Sequence, residues 1–342
     1  MHEREAPFTS RAPRRRGDRY GRRACESLRR SFVAAVTPSK ESWTLEAAEK
    51  RAKAALKNAS GTKLVLLGTG GGPVPGMARR MTSNVMVSGG VAYVLDCGLG
   101  VTDQFARTGL SFAKIGSIFI THMHPDHTVE YGPLMLIGWI QGMRPDVQVF
   151  GPPPLRQMTD DYLHSQRTVV DFWAEDFALK PLRAIAAHEV TTEGRVMDDG
   201  NVRVTSVLVK HPPVHPAYGY RFDFHDRSIA FSGDTVALDA VARMAEGADV
   251  LVHEAMFLPA MDAIAYFASS RLSMSPKSFL HHMLVDHTRV EDVGRIATKA
   301  GVKTLILSHL TPGFGVPDQV WHAAAASTFK GEIIVGHDLA VI

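Results

Sequence analysis

Between Thr121 and His127 the chain reads Thr-His-Met-His-Pro-Asp-His, so three histidines and one aspartate fall within six residues. They follow an apolar run, Ile115–Ile120, with the character of a buried strand. Imidazole and carboxylate are the usual nitrogen and oxygen ligands of zinc and related divalent cations. Alternation along a strand lets His122 and His124 point the same way. Pro125 then turns the chain, so Asp126 and His127 face a second point. Two ligand pairs offset by a turn suit two metals rather than one. A lone histidine is usually a surface or packing residue, but that reading does not account for four ligand types in six positions at a strand end.

Three further ligand types stand just past strand-like runs. His211 follows Val202–Val209, Asp234 follows Ser228–Phe231 through Ser232-Gly233, and His309 follows Thr304–Leu307. Loops at sheet edges are where functional side chains collect. With the first four they make seven ligands, enough for two four-coordinate sites if one carboxylate bridges.

The elements that must carry these residues are strands first, a helix, strands again, then helices. Trp43–Asn58, rich in Ala, Leu, Glu and Lys, predicts a helix ended by Ser60-Gly61. Lys63–Leu67 predicts a strand that runs into Gly68-Thr69-Gly70-Gly71-Gly72-Pro73. This is no phosphate loop, because no Gly-Lys-Ser/Thr follows and the dinucleotide pattern breaks at Pro73. Glycine here permits a tight turn and a close backbone approach to a site. Asn84–Val87 and Val91–Leu95 predict a hairpin about Ser88-Gly89-Gly90. Further helices are predicted over Thr102–Gly109, Tyr131–Gly142, Ala237–Glu246, Val290–Ala300 and Gln319–Phe329, and in part of 155–182. Val147–Phe150, Ala184–Val190, Tyr218–Phe224, Val250–His253 and Glu332–Val335 complete the strands. Two packed sheets with helices outside follow from this order, without any fixed-period repeat.

The 342 residues suffice for one large domain or two ordinary ones, and 45% apolar with 21% charged residues is the composition of a soluble globular protein. Two distant cysteines, Cys25 and Cys97, suggest neither a disulfide framework nor a thiolate site, and fit a reducing, cytoplasmic setting. No apolar run reaches the length of a membrane span. Residues 1–40 hold ten arginines and one lysine against four acids, a surplus of seven, so the rest of this +3 chain is net −4. Residues 1–42 read as a basic, disordered arm, 43–60 as a helix and 61–342 as the catalytic domain, with insertions near 155–186 and 255–285.

The ligand order, HxHxDH, a lone His, Ser-Gly-Asp-Thr and then Ser-His, resembles that of the metallo-β-lactamase superfamily. Finer features resemble its ribonuclease Z-like branch: Leu67-Gly68-Thr69-Gly70 with Pro73, Arg79 to Asn84, Asp96-Cys97-Gly98-Leu99-Gly100 with Leu99 in place of an acid, Asp249 to Ala255, and His287-Thr288. The resemblance spans about residues 62–342. It implies an α+β, four-layer αββα sandwich with a dinuclear centre at one edge. It implies His122, His124 and His211 on one metal, Asp126, His127 and His309 on the other, and Asp234 bridging. His215 rivals His211, being nearer the Tyr218-Gly219-Tyr220-Arg221 motif; His211 is favoured because it ends its strand. The implied cofactors are two divalent ions, Zn²⁺ first and Mn²⁺ or Fe²⁺ next, which activate water between them. Asp126 and His287 are the implied catalytic residues, with Glu254 or His253 orienting His287. His281 and His282 read as ordinary surface or packing residues.

For the substrate, the acids Asp160, Asp161, Asp171, Glu175 and Asp176 occupy the place where ribonuclease Z carries a basic arm that grips tRNA, and His309-Leu310-Thr311-Pro312-Gly313 departs from the usual run after the last histidine. Met256, Phe257, Tyr266 and Phe267 suggest a small apolar pocket or lid. The expectation is therefore a metal-dependent hydrolase of a small, partly apolar ester, lactone, phosphodiester or aryl sulfate, acting as a homodimer without a membrane partner, with nucleic acid possible as a partner but not favoured. The alternatives are a ribonuclease Z-type tRNA 3′ endonuclease and, in another class, a di-iron redox protein.

Overall fold

A computed structural model describes residues 44–57, 60–75, 78–262, 264–265 and 275–342. The basic arm, Tyr266 and Phe267 lie outside the described residues.

Alternation along the strands builds two sheets that bury both faces. The first contains β1 (Lys63–Gly68), β2 (Ser83–Ser88), β3 (Val91–Leu95), β4 (Ile115–Phe119), β5 (Gln148–Gly151) and β6 (Ala186–Glu189) in that spatial order, with β14 (Ala340–Val341) beside β1. The second runs from β7 (Gly194–Asp198) through β8 (Val202–His211), β9 (Val214–Phe224), β10 (Ser228–Phe231), β11 (Val250–Met256) and β12 (Thr304–Thr311) to β13 (Glu332–Val335). Successive side chains of a strand face opposite ways. In β1, Leu64 and Leu66 enter the layer between the sheets, where they join Tyr93 and Phe119 from their own sheet and Tyr220, Phe222, Val252 and Ile306 from the other. Val65 and Leu67 face outward and pack against Ala52, Phe105 and Leu134 of the first helix layer. On the far side, Leu251, Leu305 and Leu307 are covered by Val241, Val293, Ala297 and Trp321. The result is the expected four-layer αββα sandwich. Phe119 and Phe222 meet edge-on, their centroids 5.0 Å apart; truncating either to Ala costs about 3–5 kcal/mol.

Strands β3 to β6 are mutually parallel, as are β10 to β13. Parallel pairs need crossovers, and helices Val101–Arg107, Tyr131–Ile140, Asp239–Met244, Val290–Ala300 and Asp318–Ala326 lie within them. The carboxyl ends of β3, β4, β10, β11 and β12 therefore gather at one edge, where β8 also ends.

Several elements differ from the sequence reading for physical reasons. β8 and β9 run on to His211 and back from Val214 across Pro212-Pro213, because the hairpin keeps its ladder, with His211 opposite Val214. Strand β7, largely polar, pairs with β8 at the edge of its sheet and carries no apolar run that would announce it. Within 255–285, Pro276–Asp286 is a helix that opens on Ser275, whose hydroxyl accepts from the Ser278 amide. The 155–182 stretch is two helices, Leu155–Ser165 and Arg167–Phe177. No helix among the described residues is long and apolar enough to cross a membrane.

Candidate metal centre

β4 ends at Phe119, and the Ile120 amide still bonds to the Phe150 carbonyl. The next amide, that of Thr121, donates instead to Asp96 Oδ1 at 2.8 Å. This releases the chain from the sheet, so His122 and His124 project beyond its edge. Pro125 then opens a single helical turn, Pro125–Thr128, with His124 as its cap, and the turn aims Asp126 and His127 elsewhere. His309 reaches the same edge by another route. It lies between Ser308 and Leu310, which pair with Glu254 and Ala255, so His309 is the extra residue of a bulge with φ +43°. Gly71 allows this: a Cβ there would lie 2.6 Å from His309 Nδ1. The neighbouring Gly72 amide donates to Asp126 Oδ2 at 3.0 Å.

Two groups of ligand atoms result. His122, His124 and His211 form one, and Asp126, His127, Asp234 and His309 the other, with the atoms of each group within 4.8 Å of one another. His124 Nδ1 is approached by His122 Nε2 at 3.1 Å and by His211 Nε2 at 2.9 Å. Asp234 Oδ2 faces His309 Nε2 at 3.0 Å, His127 Nε2 at 3.3 Å, His211 Nε2 at 3.8 Å and His122 Nε2 at 3.9 Å. One carboxylate oxygen thus addresses both groups. Among the seven ligand-type residues of the sequence reading, the structure brings all together. His215, four positions beyond His211, is exposed.

The outer hydrogen bonds decide which ring nitrogens face inward. His211 Nδ1 donates to the Asp286 carbonyl at 3.0 Å, since a carbonyl can only accept. Its Nε2 lone pair therefore faces His124. His127 Nδ1 donates to Asp96 Oδ2 at 2.9 Å, leaving Nε2 toward the Asp234 carboxylate. Lone pairs set against lone pairs and carboxylates repel unless a cation lies among them. The donor set of nitrogen and oxygen fits a divalent ion of the zinc class. Without one, protons serve. Burial opposes charge on His309, but Asp234 and Asp126 outweigh it and raise its pKa to about 10. Burial likewise opposes charge on His127, yet the carboxylates of Asp234, Asp96 and Asp126 raise it. Burial prevails at His124, lowering it to about 4, and it also lowers His122 and His211.

Beside the two groups, His287 Nδ1 stands 3.1 Å from Glu254 Oε2. Glu254 is itself fixed by the Thr235 and Thr288 amides, which donate to Oε1 at 3.0 and 3.1 Å. Burial disfavours charge on His287, but the Glu254 carboxylate more than compensates and raises its pKa. Of the two orienting residues considered from sequence, Glu254 takes that position. His253 instead donates through Nδ1 to the Glu254 carbonyl at 2.7 Å.

Of the four residues expected to line an apolar pocket, Met256 and Phe257 are described. Met256, the last residue of β11, is fully buried and packs with Ala260, Met261 and Met283, and the half-buried Phe257 lies against Trp321. Two residues near the site received no functional role from sequence. Asp96, named there only within the Asp96-Cys97-Gly98 run, ends β3 with φ +61° and braces His127 and Thr121. His282, read as surface or packing, stands with its ring centroid 5.7 Å from that of His287.

Residues 92–310 match the family model described as the beta-lactamase superfamily domain. The chain is 32% identical over 283 residues to "Ribonuclease Z" of Mycobacterium marinum, covering 81% of this chain and 96% of that protein. It is 30% identical over 282 residues to the Mycobacterium bovis protein of the same name, with the same coverage. Among solved structures, the metallo-beta-lactamase fold protein YhfI from Bacillus subtilis superposes with a TM-score of 0.60 at 20% identity, covering 83% of this chain and 99% of that one. The short form of human tRNase Z gives 0.59 at 21%, covering 82% and 98%.

Proposed function

The chain belongs to the metallo-β-lactamase superfamily, in its ribonuclease Z-like branch, and is a metallo-hydrolase; from that premise we propose that it hydrolyses RNA phosphodiesters at the 3′ side of precursor tRNA. The observation that carries this is the His287–Glu254 pair beside two clusters of metal-ligand type, in a chain that matches relatives named ribonuclease Z over nearly their whole length. These relatives support the tRNA endonuclease alternative of the sequence reading better than its first choice, a small ester, lactone, phosphodiester or aryl sulfate.

His122, His124 and His211 would hold one divalent ion, Asp126, His127 and His309 a second, and Asp234 would serve both. Such ions lower the pKa of bound water and neutralise charge on a phosphoryl oxygen. The chain's own residues supply the proton. Glu254 holds His287 through Nδ1, which leaves Nε2 to carry a proton toward the leaving oxygen as the phosphorus–oxygen bond breaks. The raised pKa of His287 keeps that proton in place near neutrality. Asp126 would contribute as a holder of the second ion.

One observation favours a second reading. The helices of 155–177 offer Asp160, Asp161, Asp171, Glu175 and Asp176 against only Arg156 and Arg167, a poor surface for a polyanion. Small phosphodiesters, esters, lactones or aryl sulfates would then be the substrates. The metal-loaded full chain should be incubated with a precursor tRNA bearing a 3′ trailer and, separately, with bis(4-nitrophenyl) phosphate, aryl esters, lactones and aryl sulfates, each with and without chelator. Chelator-sensitive removal of the trailer is the expected result. An intact precursor beside turnover of the small substrates establishes the second reading, and no chelator-sensitive turnover anywhere overturns both. Metal analysis of the same sample separates zinc or manganese from a di-iron centre.

A further inference from the structure

Helix Pro276–Asp286 ends against the site. Asp286 is 2% exposed, yet its carboxylate is engaged by His282, one turn earlier, through His282 Nδ1. An ordinary surface pair at this spacing keeps both partners in water and is worth little. Here the acid is buried, and its Oδ1 has no hydrogen-bond partner among the described residues. Burying a carboxylate is costly unless it is paired, so the pairing fixes the ring. The His282 side chain is 42% exposed. Its ring centroid lies 5.7 Å from that of His287, 6.3 Å from His211 and 6.4 Å from His124. The backbone carbonyl of the same Asp286 accepts from His211. One residue therefore sets both a ligand-type ring and the His282 ring, and ties them in a common frame.

The chemistry of that ring follows. A carboxylate accepts, so Nδ1 carries the proton toward Asp286. A neutral ring with its proton on Nδ1 has its lone pair on Nε2, and a lone pair there accepts a hydrogen bond from a substrate hydroxyl. The ring lies outside the two metal-ligand groups, beside the rings of His287, His211 and His124.

We infer that His282, set by Asp286, accepts a hydrogen bond from a ribose 2′-hydroxyl beside the scissile phosphate and makes the site prefer ribose to deoxyribose at that position. The inference rests on the RNA reading above. The 2′-hydroxyl is the group by which a protein tells RNA from DNA at a given site. Neither His287, whose Nδ1 is taken by Glu254 and which serves the leaving oxygen, nor the inward-facing ligand nitrogens is available for it.

The test pairs enzyme variants with substrate variants. Precursor tRNA is prepared with a single 2′-deoxy substitution at each of the two nucleotides flanking the cleaved bond in turn. Wild-type chain should cleave the all-ribose precursor roughly tenfold better, in kcat/KM, than one of the two deoxy substrates, about the value of a single hydrogen bond. His282→Ala should lower cleavage of the ribose substrate to the deoxy level while leaving the deoxy rate and the bound metal unchanged. A structural role would lower both rates together. Asp286→Ala, which removes the carboxylate that sets the ring and keeps the backbone carbonyl that His211 uses, should also abolish the preference. A ribose preference that survives in His282→Ala overturns the inference while leaving the RNA reading intact. A wild-type chain that cleaves none of these RNAs overturns both.

Discussion

His211 Nε2 stands 2.9 Å from His124 Nδ1, held there because its other nitrogen donates to the Asp286 carbonyl. This relationship favours His211 over His215, its rival in the sequence. His215 is exposed beyond the β8–β9 turn. His211→Ala should therefore leave the purified chain with about half its metal, and His215→Ala should retain all of it. Elemental analysis after exhaustive dialysis measures this directly, and equal loss in the two variants would refute the assignment.

Asp96 is the brace of the other group. Its Oδ2 accepts from His127 Nδ1 at 2.9 Å, which fixes the ring that meets Asp234. Carboxylates that orient a ligand histidine are worth about 10–100-fold in metal affinity. Asp96→Asn should show a loss of that size in competition with a chromophoric chelator, while the fold, judged by circular dichroism, stays intact.

The ligand cluster was legible because its chemistry is local. His122 to His127 lie within one strand end and one turn, and the residue types alone announce a metal. The four layers were legible from alternation in runs such as Lys63–Leu67. What could not be read depends on contacts distant in sequence. Asp286 gains its meaning from His211, 75 residues earlier. His282 gains its own from the packing of Pro276–Asp286 against β8. Composition likewise carries no information on which side of Met256 or Phe257 is covered; Met261, Met283 and Trp321 pack against them. Strand β7 escaped notice because an edge strand needs a partner, not an apolar face.

His287 and Glu254 act as a pair, so their removal should affect protonation of the leaving group rather than metal binding. General-acid groups contribute about 10²–10⁴-fold. His287→Ala should lose activity in that range on RNA with both metals retained. Glu254→Gln should lose about as much, because its single oxygen stays with the Thr235 and Thr288 amides and its NH2 group then faces Nδ1. The defect should shrink on bis(4-nitrophenyl) phosphate, whose leaving group departs without a proton. Equal losses on both substrates would remove His287 from the role of acid.

His309 links the centre to pH. In the metal-free chain its pKa rises to about 10, as Asp234 and Asp126 overcome the opposing effect of burial. An unfolded histidine titrates near 6.5. The folded value is the higher one, so the proton's stabilisation is complete below about pH 6.5 and is lost as pH rises through about 10. Metal-free protein should therefore melt at progressively lower temperature from pH 7 to 10. A divalent ion must displace that proton to bind Nε2, which predicts two further results. Zinc binding at pH 8 should release protons, seen by calorimetry as an apparent enthalpy that varies with the ionisation enthalpy of the buffer. The loaded protein should also lose the alkaline decline in melting temperature, since the ion then supplies the charge that the proton had supplied. A metal-free chain whose stability is flat over this range would show that His309 is neutral when it faces Asp126 and Asp234.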